Sequence, residues 1–476
     1  MDPGIPHPNP SRPFWLENNP LKTHRSTPYL PQKVDVVVIG SGIAGASTAY
    51  HLLDQASKAN LPLEVLVLEA REACSGATGR NGGHIIPMHC RYWNERCQTD
   101  GQETTVALTR FEHRTMTQII DFVEKHGIDC ELRPNGCVLT AKTTREWQDL
   151  QKDLWAMRDA GITLHAEVWD QRECQRQFNS SMFVGGIKIP GCQLWPAKLV
   201  WAILKLALAK GLNLQTYTPV TSVTPVSSFD PTWLVHTPRG NIRAHHIVHC
   251  TNAWMGHLVP ELAPYLRPIR AQVIATRPIR TPLFWPFGMS FNHGFDYVMQ
   301  RPDRMVVFGG MRYLTSTMET NTADDSVTIS TVNQGLKHVL NTLTRNTLTE
   351  ANDGLNLKNQ SQLEVTRTWS GIMGFSLDSL PWVGPLDGFS APLVNQYVCG
   401  GFSGDGMPRA FQCAQLVSRM VLNQYLPTTV QLPTDDLLPA FLPSARKNRR
   451  GVTWNIIQND KRALASLGIT VPSTSL

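Results

Sequence analysis

The chain has 476 residues, 42% of them hydrophobic and 17% charged, which is enough apolar material for more than one core. Its 44 basic and 38 acidic side chains leave a formal charge of +6, too dilute over this length for a nucleic-acid surface. No apolar run approaches the ~18 residues that a membrane-spanning helix requires, and the polar, proline-rich start lacks an apolar signal core. The ten cysteines include no CxxC pair, so reduced thiols and a cytoplasmic location are expected, with no clear peroxisomal signal.

Residues 1–32 read as an extended arm in which Phe14 and Trp15 are the groups able to anchor it. VDVVVIG, residues 34–40, is a β-branched run of the kind buried on both faces of a parallel sheet. A helix over 43–58 follows at once, then a second buried strand, EVLVLEA, at 64–70. This order predicts two parallel strands joined by a helix. Further helices are expected over 103–126, 143–161 (stopped by Gly161), 197–210 and 409–425. A hairpin is expected over 232–251, turning at Arg239-Gly240-Asn241, and strands at YVMQ and RMVVFGG within 267–312. Residues 426–476, with Arg446, Lys447, Arg449 and Arg450, read as a solvated tail.

Gly40-Ser41-Gly42-Ile43-Ala44-Gly45 stands between the first strand and the helix, the context that a GxGxxG dinucleotide fingerprint needs. Gly40 allows the tight turn, Gly42 lets a pyrophosphate approach the main chain, and Gly45 lets the helix pack closely on the strand. The helix N-terminus, at Ile43 and Ala44, supplies N–H groups and a positive dipole end. Glu69 ends the second strand, where a carboxylate can accept hydrogen bonds from ribose hydroxyls. It lies 24 positions beyond Gly45, against a usual offset of about 20, and the polar loop SKANLPL absorbs the excess.

The next stretch, Ser75-Gly76-Ala77-Thr78-Gly79-Arg80-Asn81-Gly82-Gly83-His84, is dense in glycine and hydroxyl groups and suits a long cofactor with a flat ring. His245 and His249 share a strand face at about 13 Å, from ~3.3 Å per residue, too far apart for one metal ion.

These residues resemble the D-amino-acid oxidase-like FAD-dependent oxidoreductases, in the branch of glycine and sarcosine oxidases and gamma-glutamylputrescine oxidoreductase-like proteins. Four blocks carry the likeness in the family's order over residues 34–420: VVVIGSGIAGASTAYHL with Glu69, SGATGRNGGHIIP, PAKLVWAILKLALAKGLNLQTYTPVTSV with HHIVHCTNAW, and WSGIMGFSLDSLPWVGPL with YVCGGFSGDGM. The resemblance implies an α/β fold, with a Rossmann-like FAD-binding domain and a substrate domain on a mixed or antiparallel sheet. The FAD domain is expected from 33–95, 165–262 and 362–425, and the substrate domain from 96–164 and 263–361. It also implies that Ala70, Arg71, Ser75, Ala77, Thr78, Arg80, Asn81, Gly82 and Gly83 hold the cofactor beside the fingerprint. Val220 is expected near the adenine, Thr251 and Asn252 on the third main strand, and Gly371, Gly401, Phe402, Ser403, Gly404, Asp405, Gly406 and Met407 around the flavin. The family commonly has His where this chain has Asp405.

Some relatives attach flavin through a Cys in the segment matching Arg367–Gly371. That segment reads RTWSG here, so non-covalent FAD is expected, with His84 a secondary candidate for a covalent link. The flavin of this family accepts hydride from a carbon bearing an amine. Arg312 is expected to clamp a carboxylate or assist oxygen reduction, and Tyr297, Trp369 and His84 are further pocket candidates. No second fingerprint for NAD(P)H is present, so electrons are expected to pass to oxygen or another acceptor. The expected reaction is oxidation of the C–N bond of a small amine or amino acid to an imine. The alternatives are oxidation of a C–OH group in secondary metabolism and a non-catalytic FAD-fold protein.

Overall fold

A computed structural model of the chain describes residues 2–88, 90–227, 230–279, 285–355, 363–390, 393–446 and 465, without the side chains of 346–355. Strand β1 (Lys33–Ile39) leads through the glycine turn into helix α1 (Ile43–Lys58), and β2 (Val65–Leu68) returns beside β1 in parallel. The β-branched run of β1 is buried on both faces. Val36 and Val38 join the core that α1 covers with Ala46, Ala49, Leu52 and Leu53. Val37 and Ile39 join a separate core on the opposite face. Burial on both sides is why this strand reads as a continuous apolar run rather than an alternation.

Gly240–His249 pairs in parallel with the other edge of β1, and Gln396–Gly400 pairs in parallel with it in turn. Asn213–Gln215 extends the sheet beyond β2. The expected hairpin is present: Trp233–Thr237 runs antiparallel to Gly240–His249. The helices expected at 103–126, 143–161, 197–210 and 409–425 occur as Gln102–His126, Thr144–Asp159, Pro196–Leu208 and Ala410–Leu422. The hydroxyl oxygen of Thr143 accepts the Glu146 N–H and so caps the second of these.

The second sheet runs, from one edge to the other, through Val365–Ser376, Leu266–Thr276, Val306–Gly310, Asp296–Gln300, Gly288–Phe291, Cys137–Ala141, Gly185–Ile189 and Glu167–Asp170. All its pairings are antiparallel except that of Gly288–Phe291 with Cys137–Ala141. Sheet membership therefore departs from the expected segments. Glu167–Asp170, Gly185–Ile189 and Val365–Ser376 all hydrogen bond into the second sheet, not the first. The two sheets meet where Gly374 of the Val365–Ser376 strand lies against Asn252 and Ala253. A Cβ there would come within 2.8 Å of the Ala253 nitrogen.

Residues 14–16 and 437–446 pack more than their composition implies. Phe14–Leu16 forms a buried 3-10 turn; the Trp15 indole N–H donates to the Asn81 carbonyl at 2.7 Å, and that of Trp195 donates to the Trp15 carbonyl at 2.7 Å. Arg301 stacks on this wedge, 4.5 Å from the ring centres of both Phe14 and Trp195. At the other end Leu437 and Phe441 enter the core. Arg446, expected in a solvated tail, is buried, pairs with Asp378 and lies 4.0 Å over the Trp382 ring. Lys447, Arg449 and Arg450 fall outside the described residues. None of the ten cysteines is disulfide-bonded, and among the described residues no helix is long and apolar enough to cross a membrane.

Candidate functional site

A cavity of about 420 Å³ opens between the two sheets. The first sheet lines it at its strand ends, where Gly40, Gly42, Ile43 and Ala44 follow β1, Glu69, Ala70 and Arg71 follow β2, and Thr251 and Asn252 follow Gly240–His249. Ligands in open α/β sheets gather at such carboxyl ends. Ala77, Thr78, Arg80, Asn81, Gly82 and Val220 complete this side.

The glycine turn is built for close approach. Gly40 has φ +103°, which disfavours any side chain. A Cβ on Gly45 would sit 1.9 Å from the Gly40 carbonyl oxygen, so α1 reaches the strand only with glycine there. A Cβ on Gly42 would enter the cradle, 3.3 Å from Thr78 Oγ1. The Ile43 N–H, at the head of α1, donates to that same hydroxyl at 3.1 Å.

Glu69 is buried. Its Oε2 accepts the Ser41 N–H at 3.0 Å and the Ser41 hydroxyl at 2.6 Å, and its Oε1 accepts the Arg71 N–H at 2.9 Å. The Ser41 oxygen in turn accepts the Cys74 N–H at 3.0 Å. The carboxylate thus ties both strand ends together, and with about four acceptor sites it retains capacity for a ligand hydroxyl.

Arg71 and Arg80 converge on Asp325, a fully buried carboxylate that no motif or spacing along the chain marks. Arg71 Nη1 lies 2.9 Å from Oδ1, and Arg80 Nε 3.4 Å from Oδ2. Burial lowers the Arg80 pKa to about 10. The Ser75 carbonyl accepts from both guanidiniums, at 3.0 and 2.8 Å. Ser75 and Gly83, expected at the cofactor, do not line the cavity. Ser75 holds the arginines, and a Cβ on Gly83 would press on Met299 Sδ at 2.8 Å.

The C-terminal loop closes the cavity with Phe402–Met407, immediately before the helix Ala410–Leu422. Asn252 Oδ1 accepts the Gly401 N–H at 2.9 Å and pins this loop to the third parallel strand. Gly401 itself is not part of the lining. Asp405 lines the cavity with its Oδ2 3.7 Å from Arg409 Nη2; burial raises its pKa and Arg409 opposes the rise. Arg409 is committed mainly to Glu112, at 2.7 Å, with both groups fully buried.

The second sheet brings Tyr297, Arg312 and Gly371 to the cavity, and His84 arrives from the glycine-rich loop. The Tyr297 ring fills space left by two glycines: a Cβ on Gly82 would lie 2.4 Å from it and one on Gly309 2.5 Å. His84 meets it edge-on at 6.1 Å. Burial pulls the His84 pKa down to about 4 and pushes that of Tyr297 up, so both are neutral near pH 7. Arg312 lies 4.7 Å over Phe295 and 5.6 Å over Phe375. Trp369, expected as a pocket wall, is fully buried outside the lining. It shares the strand face of Gly371 and Met373, but the turn Ala77–Arg80 covers it, and its indole N–H donates to the Arg80 carbonyl at 2.8 Å.

The donor set fits FAD. Gly42 leaves a cradle that a Cβ would enter, and three buried polar atoms on lining residues, Thr251 Oγ1, Trp254 Nε1 and His84 Nε2, make no hydrogen bond among the described residues. Buried polar atoms of this kind call for a bound partner. Gly4–Pro6, Arg91, Ser290 and Phe375 also line the cavity and were not singled out from sequence.

A family model described as FAD dependent oxidoreductase (DAO) matches residues 35–420. The "Probable oxidoreductase OrdL" of Rhizobium meliloti is 25% identical over 421 residues, covering 87% of this chain and 89% of that protein. The gamma-glutamylputrescine oxidoreductase of Escherichia coli is 25% identical over 397 residues, covering 81% and 82%. The crystal structure of glycine oxidase from Geobacillus kaustophilus superposes with a TM-score of 0.65 at 18% identity, covering 87% of this chain and 98% of that one, which supports the fold. The family model matched over residues 35–420, more than three quarters of the chain, makes the chain a member of the DAO family of FAD-dependent oxidoreductases.

Proposed function

We propose that the protein oxidises the C–N bond of a small amine or amino acid, giving an imine, with FAD held non-covalently. The observation that carries this reading is Arg312. A guanidinium on the cavity wall, flanked by Phe295 and Phe375 and beside Tyr297, suits the carboxylate of an amino acid. FAD, when bound, accepts the hydride. The chain's own residues position the substrate and keep water away. His84 and Tyr297 are neutral near pH 7, so neither adds a charge that would repel an incoming amine. Gly40, Gly42, Glu69 and Thr78 would hold the diphosphate and ribose, and Phe402–Met407 would close on the ring. The names of the relatives, which include gamma-glutamylputrescine oxidoreductase and mitochondrial dimethylglycine dehydrogenase, are consistent with amine substrates.

The test is an anaerobic flavin-bleaching screen over amines, N-methyl amino acids and D-amino acids, with peroxide detection in air. Bleaching by an amino acid that Arg312→Ala abolishes at the same concentration is the expected result. Bleaching only by hydroxy compounds would transfer the reading to C–OH oxidation. A colourless protein that binds no FAD would remove the enzyme reading.

A further inference from the structure

We infer that residues 2–7 of the N-terminal arm form the outer wall of the adenosine end of the cofactor cavity, as a strap that must lift for FAD to enter or leave. The inference rests on the placement of FAD proposed above. Both ends of this segment are pinned to the strand ends that would carry the adenosine half. Asp2 Oδ1 lies 2.9 Å from His257 Nδ1, just beyond the turn that follows Gly240–His249. The His7 carbonyl accepts from Arg71 Nη1 at 3.2 Å, just beyond β2. Between the pins, Gly4, Ile5 and Pro6 line the cavity. Gly4 has φ +66°, and its N–H donates to Asp2 Oδ1 at 2.8 Å, so the arm enters as a tight turn.

The same end of the cavity contains Val220. Its segment is held there by the Thr218 N–H, which donates to the Glu69 carbonyl at 2.8 Å, and the Tyr217 N–H, which donates to the Arg71 carbonyl at 2.9 Å. Ile5, Pro6, Val220 and Leu258 give this end an apolar lining of the kind a flat heteroaromatic ring requires.

The two halves of the arm are held differently. The inner half is firmly fixed. The Ser11 N–H donates to the Asp325 carbonyl at 2.7 Å, Arg80 Nη1 donates to the Ser11 carbonyl at 2.8 Å, and Phe14–Leu16 is a buried wedge. The outer half has the Asp2–His257 contact, whose acid is 63% exposed, and one long hydrogen bond. Exposed side-chain contacts of this type contribute little. The outer half can open while the wedge stays in place, and Pro8 and Pro10 lie between the two.

The test compares the FAD-loaded full chain with a variant lacking residues 2–8, which keeps Ser11 and the wedge, and with Ile5→Ser. Release of flavin after dilution is followed by the fluorescence of freed FAD. The truncation is expected to release FAD at least about tenfold faster, and Ile5→Ser about threefold faster, since losses of this type act mainly on dissociation. ADP, added to flavin-free protein, is expected to raise the melting temperature of the full chain more than that of the truncation. Release rates within twofold of the full chain in both variants would overturn the strap. Should the truncation fail to fold, Ile5→Ser alone decides. A full chain that retains no FAD would instead overturn the reading of the cavity.

Discussion

Asp296 accepts the backbone N–H of Met311 at 2.9 Å and so fixes the turn that carries Arg312 into the cavity. Met311 has φ +59°, an uncommon left-handed conformation that a buried acceptor helps to hold. The other carboxylate oxygen accepts from the Tyr313 hydroxyl at 2.7 Å and from Asn292 Nδ2 at 2.5 Å. Three donors thus meet one fully buried acid. Asp296→Asn preserves the volume but turns an acceptor into a donor. KM for an amino-acid substrate is expected to rise about tenfold, with a smaller change in kcat and unchanged flavin content. Steady-state kinetics beside the flavin absorbance of the same sample check this. An unchanged KM would show that Arg312 does not depend on the turn.

The glycines of the first turn are expected to separate cofactor loss from misfolding. Gly42→Ala places its methyl 3.3 Å from Thr78 Oγ1, a contact that a small shift relieves, so the protein folds but binds FAD weakly. Gly45→Ala drives a methyl into the Gly40 carbonyl at 1.9 Å, and no flexible group is there to yield. A loss of about 3 kcal/mol or more is expected, because backbone must move. Denaturant unfolding and flavin content, measured on both variants, give the comparison.

Asp325 neutralises two buried guanidiniums and joins the glycine-rich loop to the arm. Asp325→Ala leaves Arg71 and Arg80 without their carboxylate in a buried place, and is expected to cost about 3–5 kcal/mol. The damage should also show in flavin retention, since Arg71 and Arg80 follow Glu69 and Thr78 closely in the chain. Thermal unfolding with and without added FAD is the measurement. A stable, flavin-replete variant would refute it.

Stability is expected to fall on mild acidification. Burial lowers the pKa of His51 to about 3 and those of His84, His246 and His249 to about 4. Between pH 6.5 and about 4 the unfolded chain binds protons that the folded chain refuses. The contribution of each histidine is therefore whole above pH 6.5 and is lost as the pH drops through the folded value, by about 1.4 kcal/mol per pH unit. Asp296, raised to about 6 by burial, acts in the opposite sense: its contribution is whole below 3.8 and is lost as pH rises through 6. Asp153 and Asp405 are also raised by burial. The four histidines outweigh these acids, so the melting temperature should decline from pH 7.5 to pH 4.5. The decline should be shallower in His249→Gln, which removes one titrating ring.

Trp369 shows where reading along the chain stops. Expected at the pocket, it shares the strand face of Gly371 and Met373, yet the position of the Ala77–Arg80 turn, nearly three hundred residues earlier in the chain, decides that it is covered. The strands Glu167–Asp170 and Gly185–Ile189 fall within a segment expected in the FAD domain, yet they pair into the second sheet. A short strand does not name its partner, because pairing is chosen by whichever edge the chain folds beside it.

The sequence by itself determined the crevice at the first glycine turn. Strand, glycine turn, helix and the Glu69 carboxylate lie close together in the chain, and their physics is local: a φ that only glycine adopts readily, a methyl with no room, a dipole at a helix end. Tertiary structure alone decided which arm residues and buried charges brace that crevice. Asp2 meets His257 across 255 positions and Arg71 meets Asp325 across 254. Contacts of that span leave no periodicity or spacing to read, because a charged or proline-rich stretch looks alike whether it is solvated or packed, until the fold brings its partner to it.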